Sequence, residues 1–331
     1  MYLPKQYQDK LNYYETELYI KFVKDSFEKH LSRELNLMRV SAPLFVEEHS
    51  GLNDNLNGTE RPVSFDARGV KDNLEVVHSL AKWKRLALKK YDYHHHGIYT
   101  DMNAIRRDED VDNIHSFYVD QWDWEKLIKE EERNLDTLKH TVSKIVRALK
   151  QTEDDLLYMC DKLTPFVKEE VYFITSQELE DLYPDLSSKE REDAICKIHK
   201  TVCLMQIGDE LRSGERHDSR APDYDDWSLN CDILLWYPIL DRAIEISSMG
   251  IRVDKERLLY QLEKRNCLDR LALPFHKALV NDELPLTMGG GIGQSRLCLI
   301  LLNKAHIGEV QACVWPEETY AICKANGIHL L

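Results

Sequence analysis

Gly289, Gly291 and Gly293 recur at every second position, and Arg296 follows just ahead of an apolar run over 297–302. Glycine at alternate strand positions strips one face of side chains, so a flat ligand can lie on bare backbone. An arginine at the mouth of the following helix can hold a phosphate in a two-pronged fork. That is nucleotide chemistry built on a sheet, and the run matches neither common glycine-rich phosphate loop. Taken alone it also reads as a turn beside a solvated arginine. Other residues suit the same chemistry. Arg106, ahead of the acidic stretch 107–113, fits either an α-phosphate ligand or a loop ion pair. Asp232 and Glu245 open and interrupt two apolar stretches, as ligands of a hard cation or as strand-end acids facing water. Gln121, Asp123 and Glu125 alternate with Trp122 and Trp124. On a strand the polar three share one face, which is costly unless that face is wet or lines a pocket. Asp223, Asp225 and Asp226 crowd a loop, and Asp54 sits in a turn over 53–58. Ser79 and Lys84 flank the start of a basic helix, and His94, His95 and His96 form a surface run.

These residues need elements to bring them together. Val23, Phe27, Leu31 and Leu35 repeat every fourth position, which predicts a helix over 16–36. Residues 37–46 read as one strand interrupted by Pro43, and proline places it at an edge or interface. Further strands are expected at 74–77, 98–105, 117–124, 172–174, 202–207, 232–237 and 242–247. Helices are expected at 80–91, 131–160, 187–199, 254–264 and 293–304. Strands in groups with helices between the groups predict an α+β fold with a mainly antiparallel sheet flanked by helices.

The 331 residues carry a net charge of -14, which opposes the basic face a nucleic-acid partner needs. No low-complexity linker divides the chain, so one domain over 1–331 is expected. Eight cysteines form no C-x-x-C pair, several in apolar surroundings, which suits a reducing cytoplasm. No secretory leader or membrane-length apolar run is visible. The chain opens Met-Tyr, so an amino-terminal cysteine nucleophile for releasing ammonia from glutamine is not expected.

In order and spacing these segments resemble the catalytic core of class II aminoacyl-tRNA synthetases. Pro43 after a long helix resembles the first motif, a dimer-interface element. Arg106, Asp108 and His115 around a hairpin resemble the second, and Gly289, Gly291, Gly293 and Arg296 the third. The segment 245–252 looks like the aspartate/asparagine branch. A closer resemblance runs along essentially the whole chain, to the ammonia-dependent aspartate–ammonia ligase family. Segments 75–85, 118–125, 220–227, 247–254 and 289–296 carry it. Two departures stand out: 227–232 is shorter than in bacterial members, and Val119 stands where synthetases stack an aromatic on adenine, which points to Tyr118 as its neighbour.

The resemblance implies synthesis of L-asparagine from L-aspartate, ammonia and ATP through a β-aspartyl-adenylate, in a homodimer with Mg²⁺. It implies Arg106 at the α-phosphate, Arg296 at the terminal phosphates, and Asp232 and Glu245 on Mg²⁺–ATP. Gly291 and Gly293 would lie beside the nucleotide. Lys84 would take the amino acid's carboxylate, and Asp123 with Asp225 its ammonium. Gln121 would orient the reacting carboxylate, Asp54 would handle ammonia, and Ser79, Ser247 and Ser248 would line the substrate pocket. The same-fold rival is an aspartyl- or asparaginyl-tRNA synthetase. It is disfavoured by the acidic surface and by a first motif too early to leave room for an anticodon-binding barrel. A non-catalytic relative is disfavoured because Arg106, Arg296, Asp232 and Glu245 are all present.

Overall fold

The structure, a computed structural model, describes residues 1–56, 60–91 and 97–331; the histidine run and the end of the Asp54 turn lie outside them. Helix α1 (Tyr13–Leu35) buries Val23, Phe27, Leu31 and Leu35, the stripe its spacing predicts. Asn12 caps it: its side chain accepts from Glu15 N–H at 3.0 Å, and Glu15 returns the bond to Asn12 N–H at 3.0 Å. Asn36 ends the helix in the left-handed region at φ 56°.

The strand expected over 37–46 is two strands in different sheets. β1 (Leu37–Arg39) pairs in parallel with β5 (Gly97–Ile105). β2 (Phe45–Glu47) pairs with β4 (Leu74–Val76), which also pairs with β3 (Ser64–Phe65), in a small second sheet. Pro43 lies between β1 and β2, where its missing N–H breaks no ladder. α2 (Ala81–Tyr91) follows the small sheet.

β5 and β6 (Tyr118–Leu127) form the antiparallel pair joined by the acidic loop. The chain continues through α3 (Leu135–Met159), β7 (Tyr172–Thr175), α4 (Ser176–Leu182), α5 (Ser188–His199) and β8 (Thr201–Met205). β9 (Asp225–Tyr237) and β10 (Arg242–Arg252) are longer than expected, so Asp225 and Asp226 stand in a strand and not in a loop. After α6 (Lys255–Lys264) and α7 (Pro274–Val280) comes β11 (Thr287–Gly293), the glycine run. It passes directly into α8 (Gln294–Leu301), and α9 (Glu317–Ala325) follows.

The large sheet has the order β1-β5-β6-β11-β10-β9-β8-β7. Only its two edge pairs, β1 with β5 and β7 with β8, are parallel. The expected α+β fold, a mainly antiparallel sheet flanked by helices, is what the chain adopts. One face carries the main core, where α1, α3 and α8 bury Trp122, Trp124, Ile233, Met249 and Ile292. Phe27 meets Trp122 with ring centroids 4.8 Å apart. On the opposite face a smaller core under α4 and α5 covers the β7–β8 end. The middle of that face is left uncovered by either core.

Candidate active site

The uncovered middle is the floor of a cavity of about 550 Å³. Register explains which side chains reach it. Thr100, Asp123, Gly291, Ser248 and Asp232 stand in one row across five strands. Ile98, Glu125, Gly289, Gly250 and Asn230 form the next. Paired residues share a face, so each row mixes charged groups with glycines.

The glycines make room for protein side chains. A Cβ on Gly289 would run into Glu125 Oε2 and lie 2.5 Å from Arg252 Nη2. One on Gly291 would run into Gln121 Oε1 and lie 2.8 Å from Asp123 Oδ1. The bare face expected to carry a flat ligand is therefore filled, at Gly289, by the Glu125–Arg252 ion pair, and Gly289 is not in the cavity wall. Gly290, Gly291 and Gly293 are.

Lys84 is fully buried, although it is a lysine. Its Nζ donates to Gly290 O at 3.0 Å and meets Asp123 Oδ2 at 3.1 Å. Burial pushes its pKa down, against the pull of Asp123. Asp123 Oδ1 is buried and has no hydrogen-bond partner. Arg252 bridges Glu125, at 2.6 Å, and Asp225. Burial alone would lower the Arg252 pKa, and the two carboxylates outweigh it and raise it. Asp54 is buried; its Oδ2 accepts from Ser79 Oγ at 2.8 Å and its Oδ1 from Leu56 N–H at 2.8 Å.

Arg106, Arg220 and Arg296 line the cavity with Glu245. Arg296 Nη1 donates to Glu245 O at 2.9 Å, and its Nε to Ile114 O at 3.4 Å. Arg106 lies 3.9 Å from Glu109, and its buried Nε has no partner. Burial would raise the Glu245 carboxyl; Arg296 and Arg220 outweigh it and hold it below its ordinary value. Ile114, Tyr118, Val119 and Ile307 add apolar wall nearby, so Val119 and Tyr118 both face the cavity.

Of the residues singled out from the sequence, Asp54, Ser79, Lys84, Arg106, Gln121, Asp123, Asp225, Glu245, Ser248, Gly291, Gly293 and Arg296 line this one space. Two do not. Ser247 is buried among core residues, paired with Ile233 and Ile292, and its Oγ has no partner. A register shift between Glu245 and Ser247 is the reason: the extra residue turns Ser247 away and brings Ser248 onto the Gly291 row. Asp232 lies behind Arg220, which ion-pairs with its Oδ2. Its Oδ1 is buried and unpartnered. Burial, with Glu245 near, pushes its pKa up to about 7 against the pull of Arg220. Two crowded carboxylates, one with an orphaned oxygen, are a donor set that fits a hard cation.

Arg220 and Arg252 have no role in the sequence reading, and the structure places both in the cavity wall; Glu125, expected on the polar face of its strand, lies buried just beneath them. Arg252 carried a signal: a charged residue two strand positions beyond Gly250 falls on the same face. Asp223, in the loop before β9, takes Lys82, Arg270 and His276 at 3.3, 3.2 and 2.9 Å, and so anchors that loop to α2 and α7.

The family model described as aspartate-ammonia ligase matches residues 14–327. A protein named aspartate–ammonia ligase from Clostridium perfringens (strain SM101) is 59% identical over 333 residues, covering 100% of this chain and 99% of the relative. One of the same name from Pediococcus pentosaceus is 56% identical, with 99% of each covered. Among solved structures, Entamoeba histolytica asparaginyl-tRNA synthetase with asparaginyl-adenylate matches with a TM-score of 0.62 at 13% identity, over 90% of this chain and 66% of that one. The Pyrococcus horikoshii asparaginyl-tRNA synthetase, also with asparaginyl-adenylate, gives 0.60 at 16% identity, over 91% and 70%. These likenesses establish the class II synthetase fold, and the sequence relatives go further: the chain belongs to the aspartate–ammonia ligase family.

Proposed function

We propose that this enzyme makes L-asparagine from L-aspartate, ammonia and ATP in two half-reactions. The β-carboxylate of aspartate attacks the α-phosphorus of ATP, forming β-aspartyl-adenylate and releasing pyrophosphate. Ammonia then attacks the activated carbonyl, and AMP leaves with its bonding electrons as asparagine forms. One observation carries the reading beyond family membership: Asp123 faces the cavity with one oxygen on Lys84 and the other unpartnered. A cation beside a free carboxylate oxygen complements an α-amino acid zwitterion, and the phosphate-binding arginines share the same cavity.

In this reading Lys84 takes the α-carboxylate, and Asp123 with Asp225 the α-ammonium. Gln121 orients the β-carboxylate toward phosphorus, Ser79 and Ser248 bound the substrate, and Arg252 holds Glu125 and Asp225 in place beneath it. Arg106 stabilises charge building on the α-phosphate, and Arg296 holds the terminal phosphates. Asp232 and Glu245 would hold Mg²⁺, which neutralises phosphate charge when bound. Asp54 holds ammonium and takes its proton. The nucleotide base lies between Val119, Tyr118 and Ile307. The enzyme acts as a homodimer, with Pro43 and the exposed Leu44 and Phe45 next to the contact. It works in the cytoplasm, a setting that suits eight free cysteines. No described helix is long and apolar enough to cross a membrane.

The test follows nucleotide products and isotope exchange. Wild-type enzyme should form AMP from ATP only with aspartate present, faster with ammonia than with glutamine. Arg106→Ala should abolish aspartate-dependent pyrophosphate exchange, whereas Asp54→Asn should keep exchange and lose asparagine. ADP as the product, or normal exchange by Arg106→Ala, would sink the mechanism.

A further inference from the structure

Asp120 precedes Gln121 on β6, so its side chain leaves the strand toward the helix-covered face, where it also borders the cavity together with Ser295 and Gln311. It is 5% exposed. Its Oδ2 accepts from Lys24 Nζ of α1 at 3.0 Å. Its Oδ1 accepts from the backbone N–H of Ser295 at 3.0 Å and from Gln311 Nε2 at 3.4 Å. Gln311 Nε2 also donates to Ser295 Oγ at 2.9 Å.

Ser295 lies in the first turn of α8, and the next residue is Arg296. The first turn of a helix has N–H groups with no partner inside the helix. A serine, threonine or aspartate at the cap normally satisfies one of them, but the cap here is Gly293, which has no side chain to offer. Asp120 supplies that acceptor from a neighbouring strand, and its charge suits the positive end of the helix. A second relay runs beside it. Arg39 of β1 meets Asp101 at 2.7 Å, and Asp101 Oδ1 accepts from Gln294 Nε2 at 3.0 Å. Two chains of charge thus run from α1 and β1 to the first turn of α8.

We propose that Asp120 is a positioning residue. It fixes the first turn of α8, and through it aims the Arg296 guanidinium at the terminal phosphates of ATP. This rests on the reading of Arg296 as the holder of those phosphates. Lys24 orients the Asp120 carboxylate, so the α1 surface is coupled to the phosphate end of the cavity.

AMP lacks the terminal phosphates, which gives a selective test. Dissociation constants for ATP (with Mg²⁺) and AMP are measured by titration calorimetry on the full-length enzyme. Asp120→Asn keeps the shape and removes the charge. It should weaken ATP about fivefold to tenfold, the scale of one ordinary hydrogen bond, and leave AMP unchanged. A role confined to packing, or a direct contact with adenosine, would weaken both ligands alike and overturn the proposal, as would no change in either. Lys24→Met alters the partly exposed end of the relay, with less risk to folding. It should show a smaller loss for ATP only, and loss of AMP binding there would count equally against the proposal. Arg296→Ala separates the underlying reading. If that variant binds ATP normally, Arg296 is not the phosphate holder; if it loses ATP affinity while Asp120→Asn does not, the positioning role alone fails. In the Arg296→Ala background Asp120→Asn should add no further loss, and full additivity would overturn the coupling.

Discussion

Gly289 and Gly293 belong to the same motif, yet a methyl group at each meets different neighbours. At Gly289 it would enter the Glu125–Arg252 ion pair, both partners of which are buried. The sheet backbone cannot move without breaking rows on both sides, so the pair must separate. Leaving a buried charge without its partner costs about 3–5 kcal/mol. At Gly293 the nearest atom is Arg296 Cβ at 3.3 Å, and φ is an ordinary -65°. Gly293→Ala should therefore cost less than about 1 kcal/mol in stability. Urea midpoints of the two variants check this, and equal midpoints would mean the ion pair is not what requires Gly289. The need for glycine was legible in the spacing. What fills the bare face was not, because Glu125 and Arg252 meet the run only through cross-strand register, which no local pattern encodes. Arg220 was hidden for a similar reason: its partner Asp232 lies across the turn into β9.

β10 shows how an element chooses among candidate side chains. Strict alternation from Glu245 would send Ser247 into the cavity and Ser248 into the core. The bulge reverses this, and both cross-strand partners of each serine agree. Ser248→Ala should raise the KM for aspartate severalfold, the effect of losing one hydrogen bond to a bound substrate. Ser247→Ala should leave KM unchanged. Because it removes a buried hydroxyl without a partner, it should leave stability equal or higher by up to about 1 kcal/mol. Steady-state kinetics with thermal melts decide; a raised KM in Ser247→Ala would place that hydroxyl at the substrate. Most elements were legible because their apolar periods are regular: the four-residue stripe of α1 and the tryptophans of β6 fall where expected. The break between β1 and β2 was not, since a change of sheet leaves the extended pattern intact. The bulge was not, because one extra residue has no compositional mark between Glu245 and Ser247.

At the scale of the molecule, the amino-terminal segment is clasped against the chain beyond α8. Lys304 meets Asp9 at 2.7 Å, and Asn113 bonds both Tyr2 and Ala305. Glu309 sits in this clasp, accepting from Tyr7 OH at 2.8 Å and from Ala305 and His306 N–H at 2.8 and 2.9 Å. Burial pushes Glu309 up from 4.5 to about 7, and pushes the neighbouring His306 down from 6.5 to about 4. The two shifts act on stability in opposite directions. A carboxyl with a raised folded pKa contributes stability that is present below about 4.5 and lost as pH rises through about 7. A histidine with a depressed folded pKa contributes stability that is present above about 6.5 and lost as pH falls through about 4. Each shift is worth about 3 kcal/mol across its window, so the two largely cancel between about pH 4.5 and 6.5. Glu309→Gln removes one side of that balance. Between pH 5 and pH 8 its stability relative to the parent enzyme should improve by about 2–3 kcal/mol, read from urea unfolding at each pH. A difference that stays constant across that range would show that Glu309 does not titrate with folding. The sign then follows from His306 alone: the variant gains stability as pH rises, because the imidazole must shed its proton to be buried beside Gly308 N–H, which its Nδ1 accepts at 3.0 Å.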